Sequence, residues 1–161
     1  MNIFVLDTDP KMAAQYHCDK HVVKMILETA QILSTVRHVR GCGNDKIYRP
    51  THKHHPCTIW AGRSSSNYFW TLSLMHYLGK EYTHRYGKVH KSMELYGELA
   101  PSPFPTGYKY DPTPFARAMP DQYKLCDSAV ESYRLYYTTD KAHMLKYTNR
   151  DVPYWVSAES L

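Results

Sequence analysis

The fold is decided by residues 11–39, which read KMAAQYHCDKHVVKMILETAQILSTVRHV. Apolar side chains recur there every three to four residues, the spacing of one face of an α-helix. Two neighbouring apolar rows result, made of Cys18, Val22, Met25, Ile32 and Val36 and of Val23, Ile26, Ala30 and Leu33. The opposite side is predicted to face solvent as a polar row of His17, His21, Lys24, Glu28, Gln31 and Thr35. We therefore predict one long amphipathic helix, ended by the glycine-containing residues 41–45.

Outward from this helix, further helical segments are predicted at residues 64–86, 88–99, 120–137 and 141–147. Residues 3–6 form a short extended segment or strand, and residues 44–63 a connecting loop. Residues 100–120 hold six of the ten prolines and predict a long irregular loop or arm, and the tail 149–161 is also irregular. The fold class predicted is mostly α, with residues 1–161 in a single helical domain.

The composition favours a polyanionic partner. The formal net charge is +5, and fifteen tyrosines outnumber four phenylalanines, which suits rings that face bases, sugars or water. Four irregularly spaced cysteines are expected to be free thiols. Because no apolar run reaches membrane-spanning length and no signal peptide is recognisable, we expect no membrane partner and a cytoplasmic location.

The densest polar cluster lies in the first half of the long helix. Asp19 points towards the apolar rows, and a carboxylate there is costly unless it is paired. Such a group can act as a general acid or can stabilise a cationic transition state. A structural ion pair on a solvated helix face is the equally weighted alternative. His21 is a candidate catalytic partner of Asp19, and His17, Lys20 and Lys24 are candidate substrate contacts.

Two further clusters are candidates for binding a phosphodiester. In the first, His55 is a catalytic candidate, and a helix N-terminus near Arg63 could attract a phosphate. Stacking of a base on a tryptophan is equally plausible there, with both tryptophans in the core as the alternative. The second cluster is the basic and aromatic stretch 82–91. The substrate contacts predicted from these clusters and from the tail are His54, Arg63, Asn67, Trp70, Arg85, Lys88 and Arg150.

A metal site is a minor alternative. Cysteines and histidines suited to zinc occur at residues 18, 21, 42, 52, 54, 55 and 57, but they lack paired ligand spacing. Phosphate-binding glycine loops and a G-x-S-x-G elbow are absent from the sequence. The sequence therefore disfavours ATP-dependent, dinucleotide-dependent and serine-hydrolase activities.

Three stretches resemble the pyrimidine-dimer DNA glycosylases of the phage endonuclease V type. They are MNIFVLDTDPK at residues 1–11, HHPCTIWAG at 54–62 and RDVPYW at 150–155. The chain is also similar to a group of small phage proteins, which would place it in the host cytoplasm. The resemblance implies a helical, cofactor-free enzyme that flips a nucleotide out of DNA and attacks the sugar C1′ with its N-terminal α-amine. A Schiff base and strand cleavage follow, assisted by a glutamate and by phosphate-binding arginines.

Asp19 lies near the place of the family's glutamate, and His17, Lys20 and His21 lie near its flanking arginines. The phage enzyme exposes a threonine after its methionine is removed, whereas Met1 before the bulky Asn2 is expected to be retained. The nucleophile is then the Met1 amine or a lysine such as Lys20 or Lys24, or no imine forms.

The leading hypothesis is a DNA glycosylase, with or without lyase activity, acting on damaged or modified pyrimidines. One alternative is an enzyme that processes a nucleotide or modified base through its histidines and aspartate, with or without a metal. A second is a non-catalytic module that binds nucleic acid or a host protein. The leading hypothesis expects the opening helix and the start of the central helix to bring Asp19, His55 and Arg63 together.

Overall fold

The computed structural model describes residues 1–105 and 111–157. Six α-helices lie in that part of the chain: α1 (Pro10–Tyr16), α2 (Asp19–Val39), α3 (Pro56–Arg63), α4 (Ser65–Tyr86), α5 (Tyr96–Leu99) and α6 (Ala129–Thr139). Short 3-10 helices cover Lys91–Leu95, Asp121–Tyr123 and Ala142–Met144. The described residues contain no strand, so the mostly α prediction is confirmed; in the segment 3–6 the Leu6 N–H donates to the Phe4 carbonyl at 3.0 Å.

The predicted long helix is two helices, α1 and α2, with a break at His17 and Cys18. The backbone of both residues is extended at the break, so the helical ladder cannot continue. The Cys18 N–H instead donates to the Tyr137 hydroxyl at 3.0 Å. The Asp19 N–H donates to the Lys146 carbonyl at 2.8 Å. Tertiary contacts therefore satisfy the start of α2, which has no side-chain cap of its own.

The prediction that one side of this helix faces solvent is wrong. His17, His21 and Glu28 are buried, whereas Val23 and Leu27 of the same region are 39% and 38% exposed. The cause is the packing of α6 and residues 3–6 on the polar row, where aromatic rings cover it. α2 therefore packs on α4 and α3, and the rings of Phe4 and of Tyr137 in α6 cover His21.

The region predicted as a connecting loop contains α3. His55 caps it by accepting a hydrogen bond from the Cys57 N–H at 3.1 Å, and Pro56 occupies its first position. α4 begins and ends almost where predicted, with Ser64 as its cap and Gly87 as its left-handed C-terminal residue. The predicted helix at 88–99 is a 3-10 helix followed by α5, and α6 begins nine residues later than the predicted start at residue 120.

The proline-rich segment is irregular over residues 100–105 and 111–120, and residues 106–110 of the predicted arm lie outside the described residues. Asn67 of α4 fixes this segment, because its amide donates to Thr113 Oγ1 at 2.7 Å and accepts from the Thr113 N–H at 3.1 Å. The tail is irregular over 149–157, and 158–161 lie outside the description. Across the described ranges, no helix is both long and apolar enough to cross a membrane.

Candidate active site

The N-terminal amine of Met1 forms an ion pair with Glu28, its nitrogen lying 3.0 Å from Oε1 of the carboxylate. Glu28 lies in the middle of α2 on the side covered by α6, and its side chain is only 10% exposed. The second carboxylate oxygen, Oε2, is buried and has no hydrogen-bond partner. The amine therefore faces a carboxylate whose charge is only partly compensated, in surroundings of low dielectric constant.

Asn2 fixes the residue that carries this amine. Its Nδ2 donates to the Ala118 carbonyl at 2.8 Å, and its Oδ1 accepts from the Ile3 N–H at 2.8 Å and from the Tyr133 hydroxyl at 3.1 Å. These bonds tie the first residues to α6 and to the segment before it. The amine is thus held by a rigid scaffold and does not sit on a free chain end.

A cavity of about 130 Å³ opens beside the amine. We call it the Met1 pocket, and its lining consists of Met1, Asn2, Phe4, His21, Lys24, Met25, Glu28, Tyr136 and Lys141. Three segments distant in sequence contribute: the N-terminus, α2, and the end of α6 with the turn after it. The pocket is small and largely polar, which suits one sugar or phosphate group more than a bulky apolar ligand.

His21 forms one wall of the Met1 pocket. Its ring stacks on Phe4 with centroids 4.4 Å apart, and its Nδ1 hydrogen bonds with the Tyr137 hydroxyl at 2.8 Å. Burial lowers the pKa of His21 to about 3, and the positive charges of neighbouring Lys141 and Lys24 act in the same direction. His21 is therefore neutral at physiological pH, when it can donate or accept a hydrogen bond without adding charge.

The charges of the Met1 amine and of Glu28 also act on His55. Burial lowers its pKa, the N-terminal amine lowers it further, and Glu28 acts in the opposite direction. The first turn of α3, which His55 caps, also contacts the N-terminus, since the Cys57 thiol donates to Asn2 Oδ1 at 3.5 Å and Thr58 Oγ1 to the Met1 sulfur at 3.8 Å. Met1, His21 and His55, three of the four predicted catalytic residues, are thus grouped around Glu28.

Asp19 is held elsewhere. It accepts a hydrogen bond from Arg85 Nη1 at 3.0 Å, from the Thr148 N–H at 2.9 Å and from the Thr148 hydroxyl at 2.6 Å. Arg85 lies 20 residues beyond Ser65, roughly 30 Å along α4 from its start. The expected meeting of Asp19, His55 and Arg63 is therefore wrong, because Asp19 pairs with the opposite end of the central helix.

Arg85 and Arg150 extend this ion pair into a network. Arg85 Nε donates to Glu81 Oε1 at 2.9 Å, and Arg150 contacts both oxygens of Glu81 at 2.8 Å. Burial raises the pKa of Glu81, but the hydrogen bonds from Arg150 and Arg85 outweigh it and leave that pKa below its usual value. Two of the three predicted substrate-binding arginines, Arg85 and Arg150, are therefore engaged within the protein, and Arg85 is almost fully buried.

The other predicted substrate contacts occupy three kinds of position. His17 and Asn67 are buried and thus do not face a ligand in this structure. Trp70 is half-buried, packs edge-on against Trp60 and Phe115, and donates its indole N–H to the Thr8 carbonyl at 2.8 Å. The exposed ones are Lys20, Lys24, His54, Arg63 and Lys88, of which Lys24 lines the Met1 pocket.

No group of three or more histidine, cysteine or acidic side chains within residues 1–105 and 111–157 is arranged to hold a metal ion. All four cysteines are free thiols. Burial raises the pKa of Cys57 to about 11, so that thiol stays protonated at neutral pH. The cysteines and histidines that suggested zinc are therefore dispersed among caps and core contacts.

Glu28 is the site residue that sequence reasoning placed wrongly, as a member of a solvated row. A signal was present: the resemblance implied both an N-terminal amine and a glutamate near the first helix, and Glu28 is the one glutamate between residues 1 and 80. Pairing those two groups would have selected Glu28 over Asp19.

Comparison with known proteins identifies a family for this chain. The family model for pyrimidine dimer DNA glycosylases matches residues 1–95, more than half of the chain, and covers the N-terminus, α2, α3 and α4. Neither curated proteins nor solved structures give a match. The matched range contains Met1, Glu28 and His55, and α6 lies outside it. The chain belongs to the pyrimidine dimer DNA glycosylase family, and it is a DNA glycosylase that acts on pyrimidine damage.

Proposed function

We propose that this glycosylase is also a lyase, that the Met1 α-amine is its nucleophile, and that Glu28 is its catalytic carboxylate. The observation that carries the proposal is the 3.0 Å contact between the amine and Glu28 Oε1 beside an open pocket. A carboxylate at this distance can take the proton of the ammonium group, which frees the nitrogen lone pair for attack.

In the first step the amine nitrogen bonds to C1′ of the damaged nucleotide. The bond from C1′ to the base breaks, and its electron pair leaves with the base, which takes up a proton. The nitrogen, now bonded to C1′, gives up one further proton, which balances the proton that the departing base takes up. Glu28 then gives the proton that it took from the ammonium group to O4′ as the C1′–O4′ bond breaks, and the restored carboxylate stabilises the positive charge of the protonated imine that results.

In the second step a base removes a proton from C2′, and the C3′–O3′ bond breaks with loss of the 3′ phosphate. Water hydrolyses the resulting unsaturated imine and returns the free amine. His21, which lines the Met1 pocket, and His55, whose pKa the amine lowers, are the candidates for moving these protons. These steps use only protein groups and water, so we propose no metal or cofactor. We expect the enzyme to work on DNA in the cytoplasm.

The test is strand incision on an end-labelled duplex with a single thymine dimer, in parallel with borohydride, which reduces an imine to a stable amine. We expect the wild type to break the glycosidic bond of the damaged nucleotide, cut the strand and form a covalent adduct. Glu28→Gln should lose the glycosylase and the lyase activity, and Lys24→Ala should still form the covalent adduct. Cleavage of the glycosidic bond without any adduct would be consistent with the glycosylase activity but would contradict the lyase proposal.

A further inference from the structure

Part of the Met1 pocket is built by residues that the family match does not cover. Tyr136 of α6 and Lys141 of the following turn both lie beyond residue 95, yet both line the cavity that holds the amine and Glu28. The ammonium of Lys141 is 5.2 Å from the centre of the Tyr136 ring, a cation–π contact that orients the lysine. The pocket therefore contains a cation that the established family membership does not assign.

The balance of charge in the Met1 pocket is positive. The Met1 amine, Lys24 and Lys141 are cationic, Glu28 is the one carboxylate in the lining, and His21 is neutral at physiological pH. Neither lysine forms a salt bridge with a carboxylate of the described residues. Two positive charges thus remain uncompensated around a polar cavity, which is the setting that attracts a small anion.

We propose that Lys141, together with Lys24, binds the backbone phosphates next to the nucleotide whose C1′ is attacked. This inference rests on the proposed function, because it takes the sugar to enter the Met1 pocket. A sugar at the amine has a phosphate on each side, and the two lysines come from different elements of the pocket wall. Lys141 then positions the sugar through its phosphate, and α6 completes the site that α2 and the N-terminus begin.

The experiment measures binding to a duplex with a single tetrahydrofuran site, an abasic analogue that lacks the C1′ leaving group. We expect Lys141→Ala to weaken binding by roughly three- to tenfold and to reduce the slope of log affinity against log salt by about 1, as for loss of one phosphate contact. Lys141→Arg should retain most of the affinity. Lys46→Ala, which removes the same charge from a lysine paired with Glu98, is the matched control.

The inference is overturned if Lys141→Ala binds this duplex with the affinity and salt slope of Lys46→Ala. Borohydride trapping separates that failure from failure of the lyase proposal. With saturating damaged duplex, Lys141→Ala should still form the adduct, since Met1 and Glu28 are intact. An adduct from the wild type with no binding defect in Lys141→Ala removes only the phosphate contact. A binding defect without any adduct removes only the lyase step.

Discussion

The Met1 amine and the Glu28 carboxylate are 3.0 Å apart because the first residues of the chain lie across the middle of α2. The contact depends on Asn2 and Tyr133, which hold the N-terminus against α6. A chain end is ordinarily one of the most mobile parts of a protein, but here hydrogen bonds of Asn2 hold it in place. That rigidity is what a nucleophile needs if it is to meet a sugar at reacting distance.

Glu28→Gln tests the carboxylate. The amide is nearly the same size but can neither accept the amine's proton nor carry a negative charge. We expect the single-turnover rate of glycosidic bond cleavage in dimer-containing duplex to fall by about 100-fold or more. Binding of the tetrahydrofuran duplex should be kept, since the pocket becomes more positive. A rate within about threefold of wild type would contradict the role of Glu28.

Asn2→Leu tests the positioning of the amine. Leucine is bulky, so Met1 is expected to be retained, but the hydrogen bonds to Ala118, Ile3 and Tyr133 are lost. We expect the rate of borohydride trapping at saturating DNA to fall by about tenfold or more while affinity for the tetrahydrofuran duplex is unchanged. Tyr133→Phe removes a single one of these bonds and should have an intermediate effect. Equal losses of affinity and rate would indicate general disruption instead.

Arg85→Met tests whether the Asp19 network is structural. The arginine is almost fully buried, and its removal leaves the buried Asp19 without its ion-pair partner and leaves Glu81 paired with Arg150 alone. We expect the free energy of unfolding to fall by about 3–5 kcal/mol in urea denaturation. Asp19→Asn should also be destabilised, yet its trapping rate per folded molecule should match wild type. Loss of trapping in folded Asp19→Asn would return Asp19 to the catalytic site.

The two buried histidines predict how stability depends on pH. Burial lowers the pKa of His17 to about 4 and that of His21 to about 3. In the unfolded chain both take up a proton near pH 6.5, whereas the folded protein excludes it. Stability is therefore complete above about pH 6.5 and is lost as the pH falls towards 4, with a slope of up to about 1.4 kcal/mol per unit for each histidine.

Urea denaturation at about pH 7.5, 6.5 and 5.5 measures this slope above the range in which carboxylates titrate. His21→Gln removes one of the two groups and should reduce the slope by about half. An unfolding free energy that is the same at all three pH values would show that neither histidine is buried in its neutral form.

Local signals predicted some elements well. α4 was recognisable because Ser64 caps its start, apolar side chains follow at helical spacing, and Gly87 takes the left-handed conformation that ends it. The break between α1 and α2 could not be recognised from the sequence. It depends on the Tyr137 hydroxyl and the Lys146 carbonyl, which are more than a hundred residues away along the chain. A periodic pattern describes one helix and carries no information on such distant partners.

The site was only partly predictable, because local sequence patterns indicate some of its residues and distant contacts decide the others. Met1, His21 and His55 were selected from the resemblance and from clusters of polar residues, and they lie around one ion pair. Glu28 was assigned to solvent because a polar row on an amphipathic helix is usually exposed. Packing of α6 on that row is a tertiary event. It converts the row into the wall of a pocket, and it also brings Lys141 to the amine.

The most direct measurement is the identity of the residue that reacts. The wild-type enzyme is incubated with dimer-containing duplex and borohydride, the DNA is digested, and the protein is cleaved and mapped by mass spectrometry. The account predicts that the peptide beginning at Met1 carries a reduced sugar remnant on its α-amine and that Glu28→Gln abolishes this product. A remnant on Lys20 or Lys24, or its absence from all peptides, would contradict the account.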